Sequence, residues 1–399
     1  MKILQLCSRI PYPPNNGGSI AMLALTQCLC EEGNAVFVLS VNTPKHHFEL
    51  QNLPSDLLSM TQWSAMDIDT TIRFASAFIN LFSSQSYHIQ RFYSKEFENG
   101  LIALLQKENF DIIQMESLFV TPYISAIRKH SKAKVVYRAH NIEFKIWERM
   151  LEGMKAGIKK RYLNIQIKRL RKYEMNIINH LDAIVSITPE DKKDFQEMGC
   201  NVPIHITPIG INLDEFSLAE HHNLYPVLFH LGSMNWLPNL EAVDWFLSNV
   251  WSDVHKKYPA LKLYLGGRGM PERILKSNTP GLYIFDAVQD AKKWMNEKDI
   301  MIVPLLSGSG MRVKIIEGMA LGKTIISTTI GAEGISYSSL KNILIADTSE
   351  DFISMIDLCI KDYDLCKSIG NNSKELVMRN HNNKTLGKEL NQFYTDLIL

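Results

Sequence analysis

SGSGMRVKIIEGMALGK, residues 307–323, follows the apolar run IMIVP at 300–304 and leads into a segment of helical period, with Val313, Ile316 and Ala320 as its apolar stripe. Strand, glycine turn and helix in that order are one unit of a doubly wound α/β sheet. The first amides of a helix lack internal acceptors and carry partial positive charge, so the turn suits a phosphate or another anion. Lys314 and Glu317 stand three apart on one helical face, about 4.5 Å from each other along the axis. One ligand can therefore meet both, a phosphate at the cation and vicinal hydroxyls at the carboxylate, as a nucleotide would. The plain alternative is a capped helix with a surface Lys–Glu pair, since the motif is neither a Walker loop nor G-x-G-x-x-G.

Outward from this stretch the same alternation recurs. Apolar runs at 3–7, 36–41, 111–115, 135–138 and 183–187 read as buried parallel strands, with helical segments at 19–32 and 157–180 among them. The pattern restarts with runs at 227–231, 261–265, 282–285, 300–304, 324–327 and 342–345 and a helix over 238–258. A chain of 399 residues exceeds what one core usually serves. The expected organisation is a first α/β domain over 1–206, a connection at 207–226 carrying Pro, Gly and Asn, a second α/β domain over 227–382, and a last helix at 383–399 that crosses back to the first domain. Ligands of open α/β sheets settle outside the carboxyl ends of strands, and the polar segments GGS, RAHN, GSMNWLPN and GGRG all follow strands.

Composition narrows the partners. With 43 basic and 42 acidic side chains the net charge is +1, which offers no global field for nucleic acid, so any anion site is local. The six cysteines are scattered without C-x-x-C or zinc spacing and read as reduced, mostly buried thiols, an expectation of cytoplasmic location. The start MKILQLCSRIPYPP lacks the apolar region of a secretory signal, and no apolar run approaches the roughly 20 residues of a membrane span.

The segment VPLLSGSGMRVKIIEGMALGKTIISTTIGAEGI, 303–335, resembles the donor-binding signature of the family 4 retaining glycosyltransferases, which have the GT-B fold of two facing Rossmann-like domains. PYPPNNGGS, RAHNIE, SITPEDKKDF, ITPIGINLDEF and LFHLGSMNWLPN resemble further family segments in the same order along nearly the whole chain. The resemblance implies an enzyme that transfers a sugar from a nucleotide diphosphate bound mainly by the second domain. Glu317 matches the second Glu of the family's paired-glutamate motif and is expected on the ribose hydroxyls. Ser309 stands where the first Glu would be, which moves the sugar contact to the amides around Gly310 and Met311. After Gly232 the family often has an arginine and, further on, a lysine for the diphosphate; Ser233 and Asn239 occupy those places. Charge on the leaving nucleotide still needs an answer, and Lys314 with Arg312 are expected to supply it, with Arg268 the next cation. Gly17 and Gly18 resemble the family's glycine pair at the first helix.

His140 ends a strand, where a lone histidine is ordinarily structural; the family's histidine at the matching place contacts the donor sugar, so His140 is expected to orient the transferred hexose. Arg138, Asn141 and Glu143 are candidate acceptor contacts or structural residues. Gly266, Arg268 and Val288 lie in GGRG and FDAVQD, which resemble the loops around the nucleotide, where backbone groups read the base and both uridine and guanosine stay open. No nucleophile and no D-x-D pair stand out, so the expectation is metal independence, with no cofactor beyond the donor substrate. A nucleotide-sugar 2-epimerase and a silent nucleotide-sugar binder, the latter favoured by Ser309, Ser233 and Asn239, are the alternatives.

Lys159, Lys160, Arg161, Lys168, Arg169, Arg171 and Lys172 crowd one predicted helix with no acid before Glu174. They form a solvated face or rest on anionic lipid, where a lipid-linked acceptor would lie. IRFASAFINLF, 72–82, is expected either to cover the core or to meet such an acceptor.

Overall fold

Cover on both faces turns the short apolar runs into parallel strands. In the computed structural model, which describes residues 1–15, 17–216, 226–308 and 310–399, the chain forms two units, Met1–Pro208 with Lys384–Leu399, and Ile209–Asn383. The first unit holds β1 (Lys2–Cys7), β2 (Ala35–Asn42), β3 (Gln62–Asp67), β4 (Ile112–Met115), β5 (Lys134–Ala139), β6 (Ala183–Ser186) and β7 (Ile204–Ile206), in the spatial order β3-β2-β1-β4-β5-β6-β7. Each neighbouring pair is parallel. Helices used below are α1 (Gly17–Glu31), α2 (Phe74–Asn80), α3 (Glu143–Glu152) and α4 (Ile158–Ile177). The strand order reverses between β1 and β4, which makes the carboxyl ends of those strands this unit's crevice.

The second unit holds β8 (Val227–Leu231), β9 (Lys262–Gly267), β10 (Leu282–Asp286), β11 (Ile300–Val303), β12 (Thr324–Ser327) and β13 (Leu344–Ile345), ordered β10-β9-β8-β11-β12-β13 and parallel throughout. Its switch point lies between β8 and β11. Helices α5 (Leu237–Phe246) and α6 (Val313–Ala320) start beyond the carboxyl ends of those two strands. The last helix, α7 (Asn383–Ile398), packs Leu390 and Tyr394 with Ile3, Cys7 and Met22 of the first unit.

The differences from expectation have local causes. Strands β3 and β7 are edges without a continuous apolar run; β3 reads QWSAMD and is half-exposed along its length. The helix expected over 238–258 is α5, a wider turn at Leu247–Trp251 that buries Val250 and Trp251, and a last piece at Ser252–Lys257. Part of the expected connection belongs to the second unit: the Ile211 amide donates to the His381 carbonyl at 2.8 Å and the Asn383 amide to the Ile211 carbonyl at 3.1 Å. Residues 217–225 of that connection lie outside the described residues.

Candidate functional site

In the second unit the loops after β8 and β9 are stitched together at the switch point. The Gly232 amide donates to the Gly266 carbonyl and the Met234 amide to the Arg268 carbonyl, each at 3.0 Å, so Gly232, Ser233, Gly266 and Arg268 share one small region. Gly267 has φ +152°, and a Cβ there would stand 1.9 Å from the Gly232 carbonyl oxygen. Only glycine lets these loops cross so closely. The Gly267→Ala variant is therefore expected to lose about 2–3 kcal/mol of stability, read from a denaturant or thermal melt. Val288, half-buried after β10, packs against the core cluster that contains Leu231.

Beyond β11 the chain enters the glycine turn that precedes α6. Gly308 and Gly310 have φ of 110° and 84°, so the tight entry into α6 rests on left-handed conformations that favour glycine. Ser309 between them lies outside the described residues. The Arg312 guanidinium lies 5.1 Å from the Trp236 ring centroid and donates to the Gly310 carbonyl, which fixes one cation at the mouth of the turn. Burial lowers the Arg312 pKa from its usual value, Glu333 opposing. Asn239 does not reach outward as the family's lysine would; its Nδ2 donates to the Ser233 carbonyl at 3.0 Å.

The amide expected to meet the donor sugar already has an acceptor: Gly310 N–H donates to Glu333 Oε2 at 3.1 Å. Lys314 Nζ sits 2.6 Å from Glu317 Oε2, the lysine side chain 42% exposed and the glutamate 12%. A helical pair at this spacing, with its lysine half in solvent, contributes only about 0.2–0.5 kcal/mol. It would yield to a diphosphate at Lys314 and hydroxyls at Glu317 without appreciable cost.

The first unit places a buried polar network at its own switch point. Gln5 on β1 and Gln114 on β4 are register partners. Strand alternation puts Glu116 on the face of Gln114, and His140 on the face of Arg138. Glu116 Oε2 accepts from Arg138 Nη1 at 3.1 Å and lies 2.8 Å from His140 Nε2. Its Oε1 accepts from Gln5 Nε2 at 3.4 Å and from Gln114 Nε2. Thr26 of α1 donates to Gln5 at 2.6 Å, and Tyr394 of α7 donates to Gln114. Burial pushes the Glu116 pKa up, but Arg138 and His140 outweigh it and hold the carboxyl below its usual value. An ionised carboxylate only accepts, so His140 carries its proton on Nε2 and leaves Nδ1 as an acceptor. Burial, more than Glu116 offsets, keeps the His140 pKa below its usual value.

For Arg138 this geometry favours the structural one of its two readings. Its side chain is buried, with Nη1 on Glu116 and on the Ala21 carbonyl at 3.4 Å, so it answers an internal charge and presents nothing to an acceptor. His140, its side chain 16% exposed, is the member of the network that reaches the surface. Gly17 and Gly18 begin α1, the helix that supplies Thr26 and the Ala21 carbonyl, and Asn141 is half-buried in the turn after β5. Glu116 itself went unnoticed in the sequence, although a glutamine and a glutamate two apart at the end of an apolar strand signal a polar stripe on one face.

Glu143, the first residue of α3, lies against a second carboxyl. Glu174 of α4 accepts from the amides of Glu143 and Phe144, both at 3.1 Å, and so caps α3 from the side. Burial first, then Glu143, push the Glu174 pKa up to about 8, and burial pushes that of Glu143 up to about 7. Between the ordinary carboxyl value of about 4.3 and the raised one, the folded chain keeps a proton that the unfolded chain has lost, so stability falls as pH rises through that window. The melting temperature is expected to drop between about pH 5 and 8, and less steeply in Glu174→Gln.

Among the described residues no group of three or more His, Cys, Asp or Glu is placed to hold a metal ion, and no helix is long and apolar enough to cross a membrane.

Two parallel-sheet units, one with a glycine turn and a Lys–Glu pair beyond its switch point, have counterparts among known proteins. Residues 15–215 match Glycosyltransferase Family 4 and residues 225–362 match Glycosyl transferases group 1. The chain belongs to the family 4 glycosyltransferases. It is 23% identical over 393 residues to an uncharacterized 44.6 kDa protein in the cps region of Klebsiella pneumoniae, covering 96% of this chain and 97% of that one. Sucrose-phosphate synthase from Thermosynechococcus elongatus has a similar structure, with TM-score 0.70 and 14% identity, over 100% of this chain and 99% of the other. Anabaena HepE in complex with UDP has TM-score 0.69 and 12% identity, over 99% and 100%. These likenesses show the GT-B fold.

Proposed function

We propose that the chain moves a hexose from a nucleotide-diphosphate donor to a saccharide or lipid-linked acceptor, with retention at the anomeric carbon and without a bound metal, in the cytoplasm, as a step in building a surface polysaccharide or glycolipid. The observation that carries this reading is the mostly shielded Glu317 with Lys314 at 2.6 Å, one turn into the helix that follows the glycine turn of the switch point. In this reading Glu317 accepts from the ribose hydroxyls. Lys314 leaves Glu317 for the diphosphate, with Arg312 and Arg268 adding charge. The amides of Gly310 and Met311 turn to the donor once Glu333 gives way, and Gly17 and Gly18 are the further donor contacts that the family resemblance implies. His140 offers Nδ1 to a hydroxyl of the transferred sugar.

Such chemistry needs placement and charge more than a protein base. The bond from the anomeric carbon to the diphosphate oxygen breaks while the acceptor oxygen bonds to the same face. The acceptor's proton passes to the leaving oxygen. The relatives support the setting: HepE is described with UDP-glucose, a galactosyltransferase of the lipopolysaccharide outer core shares the fold at TM-score 0.64, and the Klebsiella protein lies in a cps region.

Proton NMR of the product tests the stereochemistry. An α-linked donor is expected to give an α-linked product at a rate unchanged by EDTA; a β-linked product or a rate abolished by EDTA would contradict the reading.

A further inference from the structure

Helix α2 is turned inside out. Phe74, Phe78 and Ile79 are 90%, 63% and 69% exposed, as are Ile72 at 65% and Phe82 at 82% on its flanks, while the buried residue of the helix is Asn80. Apolar burial would favour the opposite rotation. What holds the orientation is polar: Asn80 Nδ2 donates to Gln90 at 2.8 Å, and its Oδ1 accepts from Gln166 Nε2 at 2.8 Å. Arg169 then clamps the Asn80 and Leu81 carbonyls, each at 2.8 Å. The aromatic face is thus presented outward by a fixed set of hydrogen bonds, and an exposed apolar patch of this kind marks an interaction site.

Gln166 and Arg169 belong to α4, so that helix flanks the patch. On α4 the spacing of Ile158, Arg161, Ile165, Lys168 and Lys172 sets them along one face beside Arg169. Ile158 is 88% and Ile165 42% exposed, and the three cations are exposed. Glu174, the acid in this helix, is buried, and Arg171 on the next face leans toward Glu148 at 3.7 Å. Aromatic side chains flanked by exposed cations and exposed isoleucines match an anionic bilayer in charge and in polarity, with rings at headgroup depth and cations on lipid phosphates.

We propose that α2 and the outer face of α4 form one composite surface that docks the chain on an anionic phospholipid bilayer. No residue of this surface is among those proposed for the donor, so the two readings stand or fall independently. In this arrangement Asn80 is a positioning residue that keeps Phe74 and Phe78 turned outward, and the basic face of α4 supplies selectivity for negative lipid.

Flotation with vesicles of three parts phosphatidylcholine to one part phosphatidylglycerol tests it. The full chain is expected to float with these vesicles and to bind pure phosphatidylcholine at least about tenfold more weakly. Partition should fall about tenfold or more in Phe74→Ser/Phe78→Ser/Phe82→Ser, and likewise in Arg161→Glu/Lys168→Glu/Lys172→Glu. Both variants should keep the wild-type melting temperature and the wild-type thermal shift with a nucleotide sugar. Failure of the wild type to float, or unchanged flotation in both variants, overturns the proposal. So does a dimer in sedimentation that the phenylalanine substitutions dissolve without any vesicle binding, since the patch would then be a protein interface.

Discussion

Replacing Glu116 by alanine is expected to destabilise the first unit by about 3–5 kcal/mol, because it leaves the buried Arg138 guanidinium without its counter-charge. Two side-chain amide donors, Gln5 Nε2 and Gln114 Nε2, also lose their shared acceptor. The milder Glu116→Gln keeps the shape and removes the charge. It permits the amide to donate to His140 Nε2, which moves the imidazole proton to Nδ1 and removes the acceptor proposed to meet the sugar hydroxyl. Sugar transfer is then expected to fall about tenfold to a hundredfold, the range for losing one hydrogen bond to a charged or oriented partner, while binding of the free nucleotide is unchanged. Nitrogen-15 shifts of the His140 ring report the tautomer directly. Wild-type transfer in Glu116→Gln with a switched tautomer would remove His140 from the reaction.

The second large effect lies at the other switch point. Glu317→Ala is expected to weaken nucleotide-sugar binding by about tenfold to a hundredfold, corresponding to about 1.5–3 kcal/mol for hydrogen bonds to a charged group. The fold asks little of this carboxylate, because it pairs with Lys314 and such pairing is weak at this exposure. Stability should therefore change little. Lys314→Ala is expected to cost less, and its cost should shrink as salt rises, since a 42% exposed cation is readily screened. Calorimetric titration at low and high salt separates the two. Equal, salt-independent losses would mean that both residues act through the helix and not on the ligand.

Much of this arrangement was legible in order along the chain, because strand, glycine turn and helix are local patterns. The turn at 307–312 and α6 illustrate that: Gly308 and Gly310 hold the left-handed conformations that their residue type permits. What local patterns do not carry is which strands become neighbours. Glu116 and Arg138 stand 22 residues apart, and their pairing exists because β4 and β5 lie side by side with Gln114 opposite Val136. That is why the sequence left Arg138 open between an acceptor contact and a structural residue, and only the strand pairing shows the buried counter-ion. The same limit applies to the Gly310 amide, whose acceptor Glu333 arrives from a loop after β12. For residues 72–82, apolar composition left core and surface open; the decision came from Asn80, whose partners Gln90, Gln166 and Arg169 sit on other elements.

The most direct test of the central claim is release of free nucleotide from a panel of UDP- and GDP-sugars, followed with the wild type and with Glu317→Ala at equal concentration. The account predicts that one donor is turned over, slowly with water alone and faster with an acceptor, and that Glu317→Ala needs about tenfold more of that donor or higher to reach the same rate. A wild type that binds a donor yet releases no nucleotide, even with crude lipid acceptors added, would contradict it and leave a nucleotide-sugar binder in place of a transferase.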